Sequence, residues 1–229
     1  MTHLLDKLID FHTHTQLSDG ILLPAEHVRH AMVAGYGVVG IADHADAATI
    51  EHVLSTTLRL RDETQQYIED SILIVAGIEL THVPSAQIGK LVQQARDMGA
   101  ELIIVHGETC VESVYPGTNR AAIEAKVDIL AHPGLISEEE AVLAKELNVY
   151  LEITQKWGHN VTNGHVLKIA KRTGAKLILS SDSHNGSRDM LAIKRIPEVL
   201  LGAGMSENTM NTVLANNREL AERILAARG

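Results

Sequence analysis

The chain of 229 residues contains a single cysteine, Cys110, a single tryptophan and a single phenylalanine. One cysteine excludes an internal disulfide and any thiolate-rich structural zinc cluster, and it fits a reducing compartment. With aromatics at 3 %, few rings are available on which nucleic-acid bases could stack. Basic side chains are also in deficit: 20 Lys and Arg against 29 Asp and Glu give a formal net charge of -9. No general positive field exists to hold nucleic acid, and none is expected as a partner. Long hydrophobic runs are missing too. The segment "AMVAGYGVVGIA" is too short and too rich in glycine to span a bilayer, and "MTHLLDKLIDFHTHT" has no charged start followed by an apolar core. The expectation is a cytoplasmic protein that does not enter a membrane; nothing in the sequence specifies an oligomeric state.

What is present is aliphatic. Hydrophobic residues make up 45 %, enough for a substantial core of Val, Ile, Leu and Ala. Seven apolar runs read as strands: "KLIDFHTHT" (7–15), "VVGIADHA" (38–45), "ILIVAGIEL" (72–80), "ELIIVHGE" (101–108), "DILAHPG" (128–134), "VYLEITQ" (149–155) and "KLILSSDSH" (176–184). Between them, helical spacing predicts helices over 24–35, 49–69, 87–98, 119–126, 137–147 and 164–173. Pro24 lies near the first turn of one, Ser137 caps another ahead of three glutamates, and Gly35, Gly99 and Gly174 stand at helix ends. Only helical material follows the seventh strand, at roughly 188–201 and 206–226, with no eighth strand. No linker or compositional break divides the chain, so residues 1–229 are read as one α/β domain. Periodicity alone fits either a barrel or an open doubly wound sheet.

Polar residues fall at the C-terminal ends of these strands: His12 and His14, Asp43 and His44, Glu79, His106, His132, and Asp182 with His184. That rim is where barrels assemble active sites from several strands at once. Six of the thirteen histidines belong to this set, and the other seven, His82 and His159 among them, are assigned mostly to helices and loops. A His-Thr-His triplet in a strand points both imidazoles to one side. Any of these residues alone has an ordinary structural use, but burying so many together unpaired is costly. Imidazole and carboxylate donors without thiolates suit zinc, manganese or iron in a catalytic site, and more than four ligands imply more than one ion.

The ordered set "DFHTHTQLSDG", "IADHA", "GIEL", "IVHGE", "ILAHPG" and "SSDSH" resembles the PHP (polymerase and histidinol phosphatase) family, metal-dependent phosphoesterases built on a distorted seven-stranded TIM-like (β/α) barrel. The resemblance runs from about residue 7 to residue 187 and implies a trinuclear site holding two or three divalent ions (Zn, Mn or Fe). Carried onto this sequence, His12, His14, Glu79 and Asp182 would hold the first ion. Glu79 would bridge to a second held by His106 and His132, and Asp19, His44 and His184 would hold a third. Some relatives have a histidine where Asp19 stands.

The resemblance implies hydrolysis of a small phosphomonoester, similar to histidinol phosphate or a nucleotide, by metal-activated hydroxide. Asp182 and His184 are the expected catalytic residues. Asp10, Asp43 and Glu152 are expected to orient the ligands. Arg120, Lys156, His159 and Arg188 are candidate contacts to a small phosphorylated metabolite, and Trp157 either meets a substrate ring or anchors its loop. Cys110 has no task in this chemistry and is read as a packed thiol. The alternatives are a metal-dependent amidohydrolase, whose barrels also open with a His-x-His strand, and a metal-loaded binding or regulatory domain without turnover.

Overall fold

Parallel strands and the helices between them build a nearly closed barrel, in a computed structural model that describes residues 2–192 and 195–228. The strands are β1 (Leu8–Asp10), β2 (Tyr36–Ile41), β3 (His44–Ala45), β4 (Leu73–Leu80), β5 (Leu102–His106), β6 (Ile129–Ala131), β7 (Tyr150–Thr154) and β8 (Leu177–Ser180). They run in the order β1-β2-β4-β5-β6-β7-β8, every pairing is parallel, and the two-residue β3 continues the line of β2 by pairing with β4. The seven expected strands thus correspond to seven barrel positions.

Uninterrupted apolar runs form these strands because both faces are buried. Side chains alternate: Ile74, Ile103, Leu130 and Leu151 join the layer packed under the helices, while Leu73, Val75, Leu102, Ile104, Ile129 and Tyr150 share the inner cluster. Further along the same inner parity the apolar filling gives way to Glu79 on β4, four residues past Val75, and to His106 on β5 and Glu152 on β7, two residues past Ile104 and Tyr150. The same alternation that fills the barrel therefore aims polar groups into its C-terminal mouth.

The helices are α1 (Pro24–Val33), α2 (Ile50–Ile68), α3 (Ser85–Asp97), α4 (Thr118–Glu124), α5 (Glu138–Leu147), α6 (Asn163–Thr173), α7 (Ile196–Gly202) and α8 (Glu207–Ala227). Ser137 closes a capping box at α5: its Oγ accepts from the Glu140 N–H, and the Glu140 carboxylate accepts from the Ser137 N–H at 2.9 Å. α6 stops at Gly174, whose φ of +77° suits a residue without a Cβ.

Among the described residues no strand follows β8 to fill an eighth barrel position. β1 and β8 meet where the Asn217 amide of α8 donates to the carbonyls of Ile9 (3.1 Å) and Leu179 (2.7 Å), while Leu220, Ala221 and Ile224 enter the inner cluster. Further up, Thr13 bridges to Ser183 and the His14 N–H donates to the Ser183 carbonyl at 2.8 Å. A helix thus closes the gap left by the missing strand.

One expected helix is shorter. Residues 188–201 do not form a continuous helix: Gly186–Arg188 is a 3-10 turn, residues 193 and 194 lie outside the described set, and α7 begins at Ile196 with Pro197 in its first turn. The Asp189 carboxylate accepts from the Asn185 N–H at 3.1 Å and fixes that turn, while proline, without an N–H, suits a helix start. No helix among the described residues is long and apolar enough to cross a membrane.

Candidate metal centre

After β1 the chain stays extended, and the Thr13 hydroxyl, donating to the Gly40 carbonyl at 2.7 Å, pins the residue between the two histidines. His12 and His14 are fully buried with ring centroids 4.9 Å apart. Beyond them the chain turns at Gly20, where a Cβ would lie 2.5 Å from the His14 carbonyl oxygen. Only glycine permits this approach, which folds Asp19 back over the rim.

Glu79, at the end of β4, is the hub. Five imidazoles approach its carboxylate: His44 at 2.6 Å, His12 and His106 at 3.4 Å, His14 at 3.7 Å and His132 at 3.8 Å. Asp182 stands opposite, 3.3 Å from His184, 3.4 Å from His14, 3.7 Å from His132 and 4.0 Å from His12. Asp19 faces His184 Nε2 at 3.2 Å and His44 Nε2 at 3.4 Å. Backbone strain is concentrated here: His82, His132 and Asp182 have φ of +52°, +25° and +53°, a region that costs a side chain on the order of 1–3 kcal/mol.

Close as these groups are, they do not satisfy one another. His12 Nε2, both ring nitrogens of His14, Glu79 Oε1, both ring nitrogens of His106 and His132 Nδ1 are buried without a hydrogen-bond partner. Orphaned polar atoms in an interior cost roughly 1–3 kcal/mol each. Lone pairs that converge on shared space rather than on each other are what a divalent cation requires. By mutual distance the donors fall into sets: His14, Asp19, His44 and His184; His12, Glu79 and His132; His12, His14 and Asp182, all within 4.8 Å of one another. His106 groups by the same measure with His82 and Glu112, although its Nδ1 also faces Glu79.

The electrostatics follow from burial and charge. Burial pushes the His14 imidazole down to about 3. Burial opposes the charge on His44 too, but Glu79 and Asp19 overcome it and raise the ring to about 10. His106 is likewise lifted to about 9, against burial, by Glu112 and Glu79. Glu79 and Asp182 resist the effect of burial and stay well below the usual carboxylate range because of the imidazoles around them, His12 foremost. Without cations, protons shared among the rings balance these carboxylates.

Of the three residues expected to orient ligands, Glu152 touches a ring. One of its oxygens lies 2.7 Å from His12 Nδ1 and the other accepts from the His132 N–H at 2.9 Å. Asp10 instead holds backbone, accepting from the N–H groups of His12 and Ser181 and from the Tyr36 hydroxyl, and burial raises its carboxyl to about 6. Asp43 accepts from the Thr15 N–H and hydroxyl and from the Ser18 hydroxyl. It fixes the turn leading to Asp19 and leaves the His44 ring alone.

These residues open onto a cavity of about 460 Å³ whose wall includes Asp19, His44, His106, Asp182 and His184. Two expected substrate contacts line it: Lys156, with Nζ 2.6 Å from His184 Nδ1, and His159, stacked on His132 at 4.2 Å. The other two do not. Arg120 is on α4, pairs with Glu124 at 2.8 Å and borders a separate cleft beside Glu138 and Arg172. Arg188 is exposed and outside the cavity wall. Cys110 is exposed rather than packed, because its loop runs over the rim. Trp157 is 91 % exposed and so does not anchor its loop. A larger cleft of about 840 Å³ at the opposite end of the strands contains four arginines, but Arg61 and Arg228 pair with Glu101, and Arg96 and Arg223 with Asp128.

Sequence reasoning missed His82 and Glu112, both in the cavity wall. His82 follows Glu79 by three residues at a strand end, the rule that selected His44, so the signal was available. Glu112 lies six residues past His106 in a loop and carries no local signal.

No family model matches the chain. It is 43 % identical over 217 residues to the uncharacterized protein MJ1295 of Methanocaldococcus jannaschii, covering 94 % of this chain and 99 % of that one. It is 28 % identical over 197 residues to the probable phosphatase NT01CX_1282 of Clostridium novyi, covering 77 % and 79 % of the two chains. The structure of histidinol phosphate phosphatase from Lactococcus lactis, complexed with zinc, L-histidinol and phosphate, aligns with a TM-score of 0.60 at 18 % identity over 86 % of this chain and 94 % of that one. An N6-methyl-AMP deaminase of Arabidopsis thaliana aligns with a TM-score of 0.52 at 11 % identity over 99 % of each chain. At such identities the likeness is one of fold. The fold is a TIM-like barrel of the kind these hydrolases share, and the chain belongs to the family of the uncharacterized protein MJ1295.

Proposed function

We propose that this chain is a metal-dependent phosphoesterase of the PHP type, that residues 1–229 form its catalytic domain, and that it hydrolyses a small phosphomonoester. The observation that carries the reading is the set of buried, unpartnered nitrogens and oxygens around Glu79, at the mouth of a cavity that also contains Lys156. The likeness to a probable phosphatase, and to the fold of a phosphatase complexed with zinc and phosphate, supports it.

In this reading His12, His14, Glu79 and Asp182 hold one ion, Glu79, His106 and His132 a second, and Asp19, His44 and His184 a third. Bound divalent ions supply Lewis acidity and positive charge for phosphoryl oxygens. The chain's own groups do the rest. Lys156 Nζ adds a cationic donor beside Asp182, and His159 borders the same space. Asp182 stays ionised among the imidazoles and orients them. His184 turns Nε2 towards Asp19, while its Nδ1 lies between Lys156 Nζ at 2.6 Å and the Asp182 carbonyl at 2.9 Å. The Lys156–His184 pair is where a proton for the leaving oxygen is held.

The test is phosphate release from a panel comprising an aryl phosphate, histidinol phosphate and nucleoside monophosphates, with and without chelator. Release that chelator and Asp182→Ala both abolish is expected. Stoichiometric metal with no phosphate release, above all with amide hydrolysis, would overturn it.

A further inference from the structure

Loop 107–117, between β5 and α4, carries a carboxylate for which the proposed metal set has no use. Glu112 lies 3.2 Å from each of three imidazole Nε2 atoms, those of His82, His106 and His159. Its position is built. The loop stem is locked where the Glu108 N–H donates to Asn119 Oδ1 at 2.9 Å and the Asn119 N–H to the Glu108 carboxylate at 3.0 Å. His159 Nδ1 is engaged 2.8 Å from Thr109 Oγ1, and the His82 ring lies 5.0 Å from that of His106 despite a backbone φ of +52°.

The orientation of His106 gives this arrangement a meaning. Its Nδ1 faces Glu79 at 3.4 Å and its Nε2 faces Glu112 at 3.2 Å, so the ring stands between two carboxylates. His12 stands the same way between Glu79, on its Nε2 side, and Glu152, on its Nδ1 side. A neutral imidazole presents one lone pair and one N–H, and a metal-binding histidine commonly donates that N–H to a carboxylate, which fixes the tautomer.

We infer that Glu112 is the positioning residue for His106: once an ion is held at Nδ1 it accepts the Nε2–H, which in this structure stands 3.2 Å away without yet making a hydrogen bond, keeps the Nδ1 lone pair aimed at the ion shared with Glu79, and so does on the outer side what Glu152 does for His12 within. The inference rests on the metal centre proposed above. His159 holds the other oxygen of the Glu112 carboxylate, Oε1, and His82 shares Oε2 with His106, which gives a task to two histidines in the cavity wall that the proposed three-ion set does not use.

The experiment compares zinc-loaded wild type, Glu112→Ala and Glu112→Gln. Chelator competition is expected to show one zinc equivalent loosened on the order of 10- to 100-fold in Glu112→Ala, with a smaller loss in Glu112→Gln, whose amide oxygen still accepts, and no change in the other equivalents. Long-range proton–nitrogen NMR of the rings is expected to show wild-type His106 protonated at Nε2, with that preference weakened in Glu112→Ala. Circular dichroism establishes that each variant is folded; should the alanine variant fail, the glutamine variant carries the test. Unchanged affinity for every equivalent, or a wild-type His106 protonated at Nδ1, overturns the inference alone. Wild-type protein that takes up no zinc overturns the proposed function together with it.

Discussion

The inner and outer halves of the rim use the same donor types at very different depths. His12, His14, Glu79 and Glu152 have fully buried side chains, whereas His44 is 25 %, His184 13 % and Asp19 56 % exposed. A buried carboxylate or imidazole without its partner is severely penalised, while an exposed one is rehydrated and screened. The inner half is therefore a preformed cradle whose cost falls on folding, and the outer half is a set of arms that solvent can relax.

Three perturbations sharpen or break that comparison. The largest effect is expected from Glu79→Ala, which removes the carboxylate common to five imidazoles: metal content measured by plasma mass spectrometry should collapse on both halves, with phosphate release falling at least about 100-fold. Retention of all metal would mean that the halves are independent and Glu79 is no hub. Next is pH. In the metal-free protein His44 and His106, at about 10 and about 9, carry protons at neutrality that His14, at about 3, does not. Cations displace those protons, so apparent affinity should rise with pH, by about tenfold per unit for each proton displaced, and level off once pH passes 9–10. Competition titrations at pH 6, 7 and 8 read this slope, and a flat profile would contradict protonated His44 and His106 rings. The smallest effect separates the halves directly. Glu152→Gln should loosen an inner ion on the order of 10- to 100-fold, and Asp19→Asn an outer one by about tenfold, each leaving the other half intact. Equal losses from both variants would erase the distinction.

Much of this was legible because period-two alternation is local. "HTH", "GIEL", "IVH" and "LEIT" place polar residues on the parity that fills the barrel interior, and Ser137 with Glu140 three residues on announces a helix start. Contacts between residues far apart in sequence were not legible. Glu152 finds His12 across 140 residues and Glu112 finds His159 across α4, β6, α5 and β7, through a topology no short window encodes. Arg120 shows the converse: a cation after a rim strand looked available, but on α4 its neighbour one turn on is Glu124, and the two pair. The helix expected from 188 failed for a similar reason, since apolar spacing cannot reveal that Asp189 closes a turn on Asn185.

The most direct test of the central claim is anomalous diffraction from crystals of the manganese- or zinc-loaded protein. The account predicts peaks bonded to Glu79 between the His12 and His106 rings, with a further, weaker peak beside Asp19, His44 and His184. An empty Glu79 site in protein shown to be folded and saturated with metal would contradict it.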